Sequence, residues 1–170
     1  MIQAELVERF ASLPERLAVA ARGVADRPMP AGEWGPRQVV RHLIAVEREV
    51  WLTRFESIAT EDEPHWPWTE PGLEPGLEDA SLDEVLARFA DARARSIAIL
   101  DGFDEAGWAR TAVHAAYGRL DGAGLLGIAN DHDAEHLRGL VAGDGSNMRG
   151  VRGHAGGQEP RWNSSEQPGG

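Results

Sequence analysis

The fold of this chain is decided by the stretch Glu61-Asp62-Glu63-Pro64-His65-Trp66-Pro67-Trp68, followed by Glu70-Pro71-Gly72-Leu73 and its repeat Glu74-Pro75-Gly76-Leu77. Four prolines and two glycines in this stretch exclude a helix over residues 60–80. A connection of about 20 residues is too long for a tight turn between helices. When extended it reaches up to roughly 66 Å, more than the length of a helix of about 30 Å. The stretch therefore predicts a crossover along the length of a helical bundle.

The sequence before the crossover predicts two helices. Apolar residues recur at steps of three and four from Ile2 to Val24, which is typical of an amphipathic helix. Pro14 is expected to kink or divide this first helix. Pro36 favours the start of a second helix, because proline is well tolerated in a first turn, and the apolar period continues from there to about Ile58.

The sequence after the crossover predicts two more helices. Ser81-Leu82-Asp83-Glu84 is a capping box that marks the start of the third helix, which ends near Gly102. Asp121 is a good N-cap for the fourth helix, whereas residues 103–120 have no clear period and are predicted to be irregular. Four helices with one long connection predict an all-α fold, a four-helix bundle.

The domain boundary is predicted near residue 142. The helical period of the fourth helix stops there, so residues 1–142 are expected to form the bundle domain. Glycine, serine, asparagine and proline dominate residues 143–170, which predicts a flexible tail.

Three histidines lie on two of the predicted helices: His42 on the second, and His132 and His136 on the fourth. The spacing of the pair puts both imidazoles on one helix face, one turn apart. His42 lies about 9 Å from the start of the second helix, and His136 lies about 6 Å from the end of the fourth. If these two helices are adjacent and antiparallel, the two residues lie at nearly the same height in the bundle. Three nitrogen ligands leave coordination positions open, which suits catalysis or ligand capture. A lone buried histidine is more often a hydrogen-bonded core residue, but two buried imidazoles one turn apart favour a metal or a proton network.

Glu49 is the candidate catalytic residue. At roughly 100° per residue it lies within about 40° of His42, which makes it the best-placed carboxylate on the second helix for proton transfer. Trp66 and Trp68 are expected to anchor the crossover on the bundle rather than to form the rim of a ligand site. The remaining histidines fall in predicted loops or in the tail and are expected to be exposed: His65, His114 and His154.

The composition of the chain argues against several classes of function. The chain has no cysteine, which excludes disulfides, thiolate nucleophiles and cysteine-ligated zinc. The net charge of −11 and the lack of a basic stripe argue against nucleic-acid binding. No apolar run is long enough to span a membrane, and the first residues lack a secretion signal, so a cytoplasmic protein is expected. A small-molecule substrate is the expected partner, and a homodimer is left open.

Two short motifs resemble the DinB/YfiT-like superfamily over about residues 2–140: Trp34-x-Pro36-x-x-Val39-x-x-His42-Leu43, and His132-Asp133-x-x-His136 in the last helix. Gly35 stands where that family commonly has a serine before the proline. The resemblance implies an up-down-down-up four-helix bundle with a long crossover between helices two and three. It also implies a divalent metal, often nickel or zinc, held by His42, His132 and His136.

The resemblance leaves the reaction open. Its leading implication is a metal-dependent enzyme, either a hydrolase or an S-transferase that uses a low-molecular-weight thiol such as mycothiol or bacillithiol. A divalent nickel, zinc or iron ion then activates a water or the thiol sulfur. The alternative is a non-catalytic, stress-associated module that binds a metal or a small ligand. A third interpretation is a bundle whose buried histidines bind no metal.

Overall fold

The computed structural model of the chain describes residues 2–142. The first predicted helix is divided near Pro14, as expected, into α1 (Ile2–Ala11) and α2 (Leu13–Gly23). Pro14 lies in the first turn of α2, where its missing N–H removes no helical hydrogen bond. The predicted tail, residues 143–170, lies outside the described residues.

The second predicted helix is present as one helical run with three parts. These are α3 (Pro36–Val46), a π-helical segment (Glu47–Leu52) and α4 (Thr53–Thr60). A π-helical turn carries more residues than an α-helical turn. Side chains beyond Val46 therefore face directions that 100° per residue does not predict.

The third and fourth helices begin at their predicted caps. In α5 (Leu82–Asp101) the Glu84 backbone N–H donates to Ser81 Oγ, and the Ser81 N–H donates to the Glu84 carboxylate at 2.7 Å. In α7 (Gly122–Ala142) Asp121 Oδ1 accepts from the Gly124 N–H at 2.7 Å. Both capping predictions are confirmed, because the cap depends only on residues within one helical turn.

The prediction that residues 103–120 are irregular is wrong. They form a short helix, α6 (Glu105–Ala109), and a hairpin. With a strand from the crossover, the hairpin makes a small sheet of β1 (His65–Trp66), β2 (Thr111–His114) and β3 (Gly118–Asp121). β2 pairs parallel with β1 and antiparallel with β3. Strands of two to four residues are too short to show an alternating pattern in sequence.

Pairs of contacting residues set the directions of the helices around α5. They are Arg22 with Asp83 and Phe10 with Arg93 for the first helix, and Arg37 with Ala80 and Glu47 with Arg93 for the second. Residue numbers fall along α5 as they rise along the first helix, so these two run antiparallel. Residue numbers rise along α5 and along the second helix together, so these two helices run parallel. The connection between them, residues 61–80, must therefore cross the length of the bundle. The predicted crossover is confirmed.

α7 packs on the first and second helices and completes the up-down-down-up bundle. Its His136 contacts His42 and its His132 contacts Trp51, which makes α7 antiparallel to the second helix. The helices of residues 2–142 include none that is long and apolar enough to cross a membrane.

A charged cluster lies in the centre of the bundle. The Arg93 side chain is fully buried, and its guanidinium donates to Glu47 Oε2 at 2.9 Å, to Asp133 Oδ2 at 2.9 Å and to the Phe10 carbonyl at 2.8 Å. Ser96 Oγ donates to the other Glu47 oxygen at 2.5 Å. Burial raises the pKa of Glu47, while Arg93 and Ser96 act in the opposite direction. One arginine thus joins α1, the π-helical segment, α5 and α7, with an apolar cluster on each side of it.

We expect Arg93→Ala to lower the free energy of unfolding by about 3–5 kcal/mol, because it leaves two buried carboxylates without their cation. Urea unfolding followed by far-UV circular dichroism measures this loss. Arg95→Ala removes an exposed arginine from the same helix and is expected to change stability by less than about 0.5 kcal/mol. Equal losses in the two variants would contradict a special role for the central cluster.

Candidate metal centre

The structure brings the three predicted histidines together. Nitrogen atoms of His42, His132 and His136 all lie within 4.8 Å of one another. His42 comes from the second turn of α3, and the other two come from neighbouring turns of α7. His42 and His136 are buried, and His132 is half-buried. The three rings therefore meet between two antiparallel helices, as the matching levels along the helices predicted.

The arrangement of the nitrogen atoms fits a metal ion. His132 Nε2 and His136 Nε2 are 3.2 Å apart. Two imidazole nitrogens that bind one ion at about 2.0–2.1 Å with tetrahedral geometry lie roughly 3.3 Å apart. His42 Nδ1 donates to the Gly72 carbonyl at 3.0 Å, which assigns the proton to Nδ1 and leaves the Nε2 lone pair free to bind an ion.

Burial keeps two of the imidazoles neutral. It lowers the pKa of His42, although the carbonyl of Gly72 opposes this effect. It also lowers the pKa of His136 to about 2, with further lowering from the neighbouring His132 and His42. A neutral imidazole is the form that binds metals, so both rings are ready ligands at neutral pH without the loss of a proton.

Asp133 connects the metal centre to the central charged cluster. Asp133 Oδ1 and His132 Nδ1 are both buried, lie 3.8 Å apart, and have no hydrogen-bond partner within residues 2–142. The other carboxylate oxygen of Asp133 is held by Arg93. A bond from the Nδ1–H to Asp133 would orient His132 with Nε2 toward the other two rings, which is the usual way in which a carboxylate positions a metal-ligating histidine.

A cavity of about 560 Å³ borders the histidines. His42 and His132 form part of its wall, and the aromatic side chains of Trp51, Trp68 and Tyr117 form another part. Residues 68–71 of the crossover also line it. The crossover therefore does more than connect two parallel helices: it covers the site, and Gly72 orients one of the ligands.

The structure places Glu49 away from the three histidines. Its side chain is exposed on the π-helical segment and is not part of the cavity wall. The π-helical turns that begin at Glu47 shift the register on which the prediction depended. Glu47, two residues earlier, is the carboxylate that faces inward, and it binds Arg93 rather than the site.

The other predictions have mixed outcomes. His65 is exposed as predicted, but His114 is buried, and its Nδ1 accepts from two backbone N–H groups of the hairpin turn. His154 lies outside the described residues. Trp66 anchors the crossover as predicted, since its indole donates to Ser57 Oγ at 2.8 Å. The anchor prediction is wrong for Trp68, which is 44% exposed and forms part of the cavity wall.

The comparisons with known proteins agree with this architecture. A family model described as the DinB superfamily matches residues 2–140. Among solved structures, YfiT from Bacillus subtilis is similar, with a TM-score of 0.63 and 21% identity over 86% of each chain. That protein is described as a probable metal-dependent hydrolase with an unusual four-helix bundle topology. At this identity the likeness shows the fold. A comparison with curated proteins finds no match.

We expect Asp133→Asn to weaken zinc binding about 10- to 100-fold, because the neutral amide loses its ion pair with Arg93 and positions His132 less firmly. Competition titration against a chromogenic chelator measures the affinity. Asp131→Asn makes the same change at an exposed neighbouring position on α7 and is expected to bind zinc like the wild type. The same affinity in the two variants would exclude a positioning role for Asp133.

Proposed function

This chain belongs to the DinB superfamily, and we propose that it is a metal-dependent hydrolase whose divalent ion is held by His42, His132 and His136. One observation carries the proposal: three imidazole rings, whose nitrogens lie within 4.8 Å, meet beside a cavity of about 560 Å³. The description of YfiT as a probable metal-dependent hydrolase supports the same reaction class.

A ligand set of three nitrogens favours catalysis over structural bracing. Structural zinc sites are closed by four protein ligands, whereas catalytic sites have three and leave a position for water or substrate. When bound at such a site, a divalent ion supplies Lewis acidity and hydroxide at neutral pH. The cavity is within the range of small-molecule sites, which favours a small organic substrate.

The protein's own contribution is to position the ligands and to shield the site. The Gly72 carbonyl holds His42, and the Asp133 carboxylate lies beside His132. Trp51 packs against the His132 ring with centroids 5.7 Å apart. Three carboxylate residues line the cavity, Glu70, Asp131 and Glu135, and we expect proton transfer from one of them, since Glu49 lies outside the lining.

We expect purified wild-type protein to contain a stoichiometric divalent metal and the variants His42→Ala and His136→Ala to contain almost none. Elemental analysis by mass spectrometry measures the content. His65→Ala removes an exposed histidine outside the site and is the matched control. Zinc or nickel at about 100 times its Kd is expected to stabilise the wild type by about 2.7 kcal/mol, because the ion binds only the native state. Equal, near-zero metal and no rise in Tm in all four proteins would overturn the proposal.

Activity separates hydrolysis from the other two functions. A panel of esters and amides is expected to be hydrolysed by the metal-loaded wild type, to resist hydrolysis after chelation, and to be hydrolysed again when the metal is restored. Turnover that requires an added low-molecular-weight thiol and an electrophile would replace hydrolysis by thiol transfer. Metal binding without any turnover would favour a binding module.

A further inference from the structure

Arg54 of α4 lines the same cavity as the histidines and is not one of the three candidate metal ligands. The residue is 6% exposed, so its guanidinium has lost nearly all contact with bulk water. Burial lowers the pKa of Arg54 to about 10, which still leaves the group cationic at neutral pH. Among the residues that the structure describes, no carboxylate forms an ion pair with it.

Neutral groups use only some of the N–H donors of this guanidinium. Arg54 Nη2 donates to the Pro67 carbonyl at 3.0 Å. The guanidinium carbon lies 5.9 Å from the centre of the Trp51 ring and 5.6 Å from that of the Trp66 ring. Arginine has five N–H donors, so several remain for a ligand. A buried cation without a counterion is costly, which distinguishes Arg54 from the arginines at the protein surface.

The position of Arg54 relative to the histidines suggests a substrate with two ends. The Trp51 indole contacts both the His132 ring and the Arg54 guanidinium, so a single flat side chain separates the cationic group from the metal centre. Trp68 and Tyr117 add aromatic surface to the same cavity. Arg9, another cation of the cavity wall, already lies 3.7 Å from Asp131, whereas Arg54 has no carboxylate partner within residues 2–142.

We propose that Arg54 binds the carboxylate of a small substrate with a flat apolar body, and that this holds the reactive group of the substrate against the three histidines. The guanidinium fork matches the two oxygens of a carboxylate, and aromatic walls favour a planar body between the two ends. The proposal rests on the proposed function for the reaction itself.

Arg54 also has a structural role in the fold. Its hydrogen bond to the Pro67 carbonyl holds the start of the crossover, and its guanidinium packs against the Trp66 ring. A purely structural role predicts a lower Tm for Arg54→Gln, with an unchanged preference between charged and uncharged ligands in the folded protein. A binding role predicts that this preference is lost.

Isothermal titration of the whole chain with benzoate and with benzamide separates these roles. Benzamide has nearly the same shape as benzoate and no charge, so the ratio of the two affinities reports recognition of the carboxylate. We expect the wild type to prefer benzoate. In Arg54→Gln we expect benzoate affinity to fall about 10- to 100-fold and benzamide affinity to stay the same, because a charge-assisted hydrogen bond is lost.

Two further variants make the experiment decisive. Arg138→Gln removes the same charge from an exposed arginine that lines the same cavity, and is expected to bind benzoate within about threefold of the wild type. Arg54→Lys keeps the charge but loses the fork, and is expected to bind benzoate more weakly than the wild type and more tightly than Arg54→Gln. This variant preserves the test if the glutamine variant does not fold.

The titrations are run on zinc-loaded and on metal-free protein, so that the two proposals can fail separately. Absence of zinc binding together with benzoate binding that depends on Arg54 would reject the hydrolase and support the carboxylate site. Normal zinc binding with equal benzoate affinity in the wild type and Arg54→Gln would overturn the role of Arg54 and leave the hydrolase standing. Equal affinities of the wild type for benzoate and benzamide would also overturn it.

Discussion

The buried guanidinium of Arg93 is the interaction on which the rest of the structure depends. It binds Glu47, Asp133 and the Phe10 carbonyl, and so links α1, the π-helical segment, α5 and α7 at one point. Buried charges are tolerated only when they are paired and hydrogen-bonded, so these helices cannot slide past one another without breaking the cluster. Because Asp133 follows His132 directly, the same constraint sets the position of a ligand of the candidate metal centre.

The crossover gives the bundle its site as well as its topology. Parallel neighbouring helices require a connection that returns along the bundle, and this return passes directly over the histidines. Pairing of β1 with β2 fixes one part of the crossover, and the bond from His42 to the Gly72 carbonyl fixes a later part. The segment between them lines the cavity. A loop held by a rigid scaffold is a common place for a functional site, because its sequence can vary without disturbing the core.

The histidines could be predicted because their information is local. His132 and His136 share a face through helical spacing alone, and the level of His42 follows from its distance to the start of its helix. Arg93 left a visible signal, since it is a charge within the apolar stripe that runs from Leu82 to Leu100. Glu49 shows the limit of predicting side-chain direction from a fixed angle per residue. A π-helical segment begins at Glu47 and changes the direction of later side chains, and no sequence pattern marks where it begins.

The sequence by itself determined the four helices of the bundle, the caps of the third and fourth, the division near Pro14 and the need for a long crossover, because each follows from contacts within a few residues or from chain length. The family resemblance added the helix order. Only the tertiary structure decided which buried charges are paired. Arg93 has two carboxylates from distant segments, whereas Arg54 has none among the described residues, although both are arginines on amphipathic helices. Pairing of buried charges depends on which helices meet and at what height, and no local pattern carries that information.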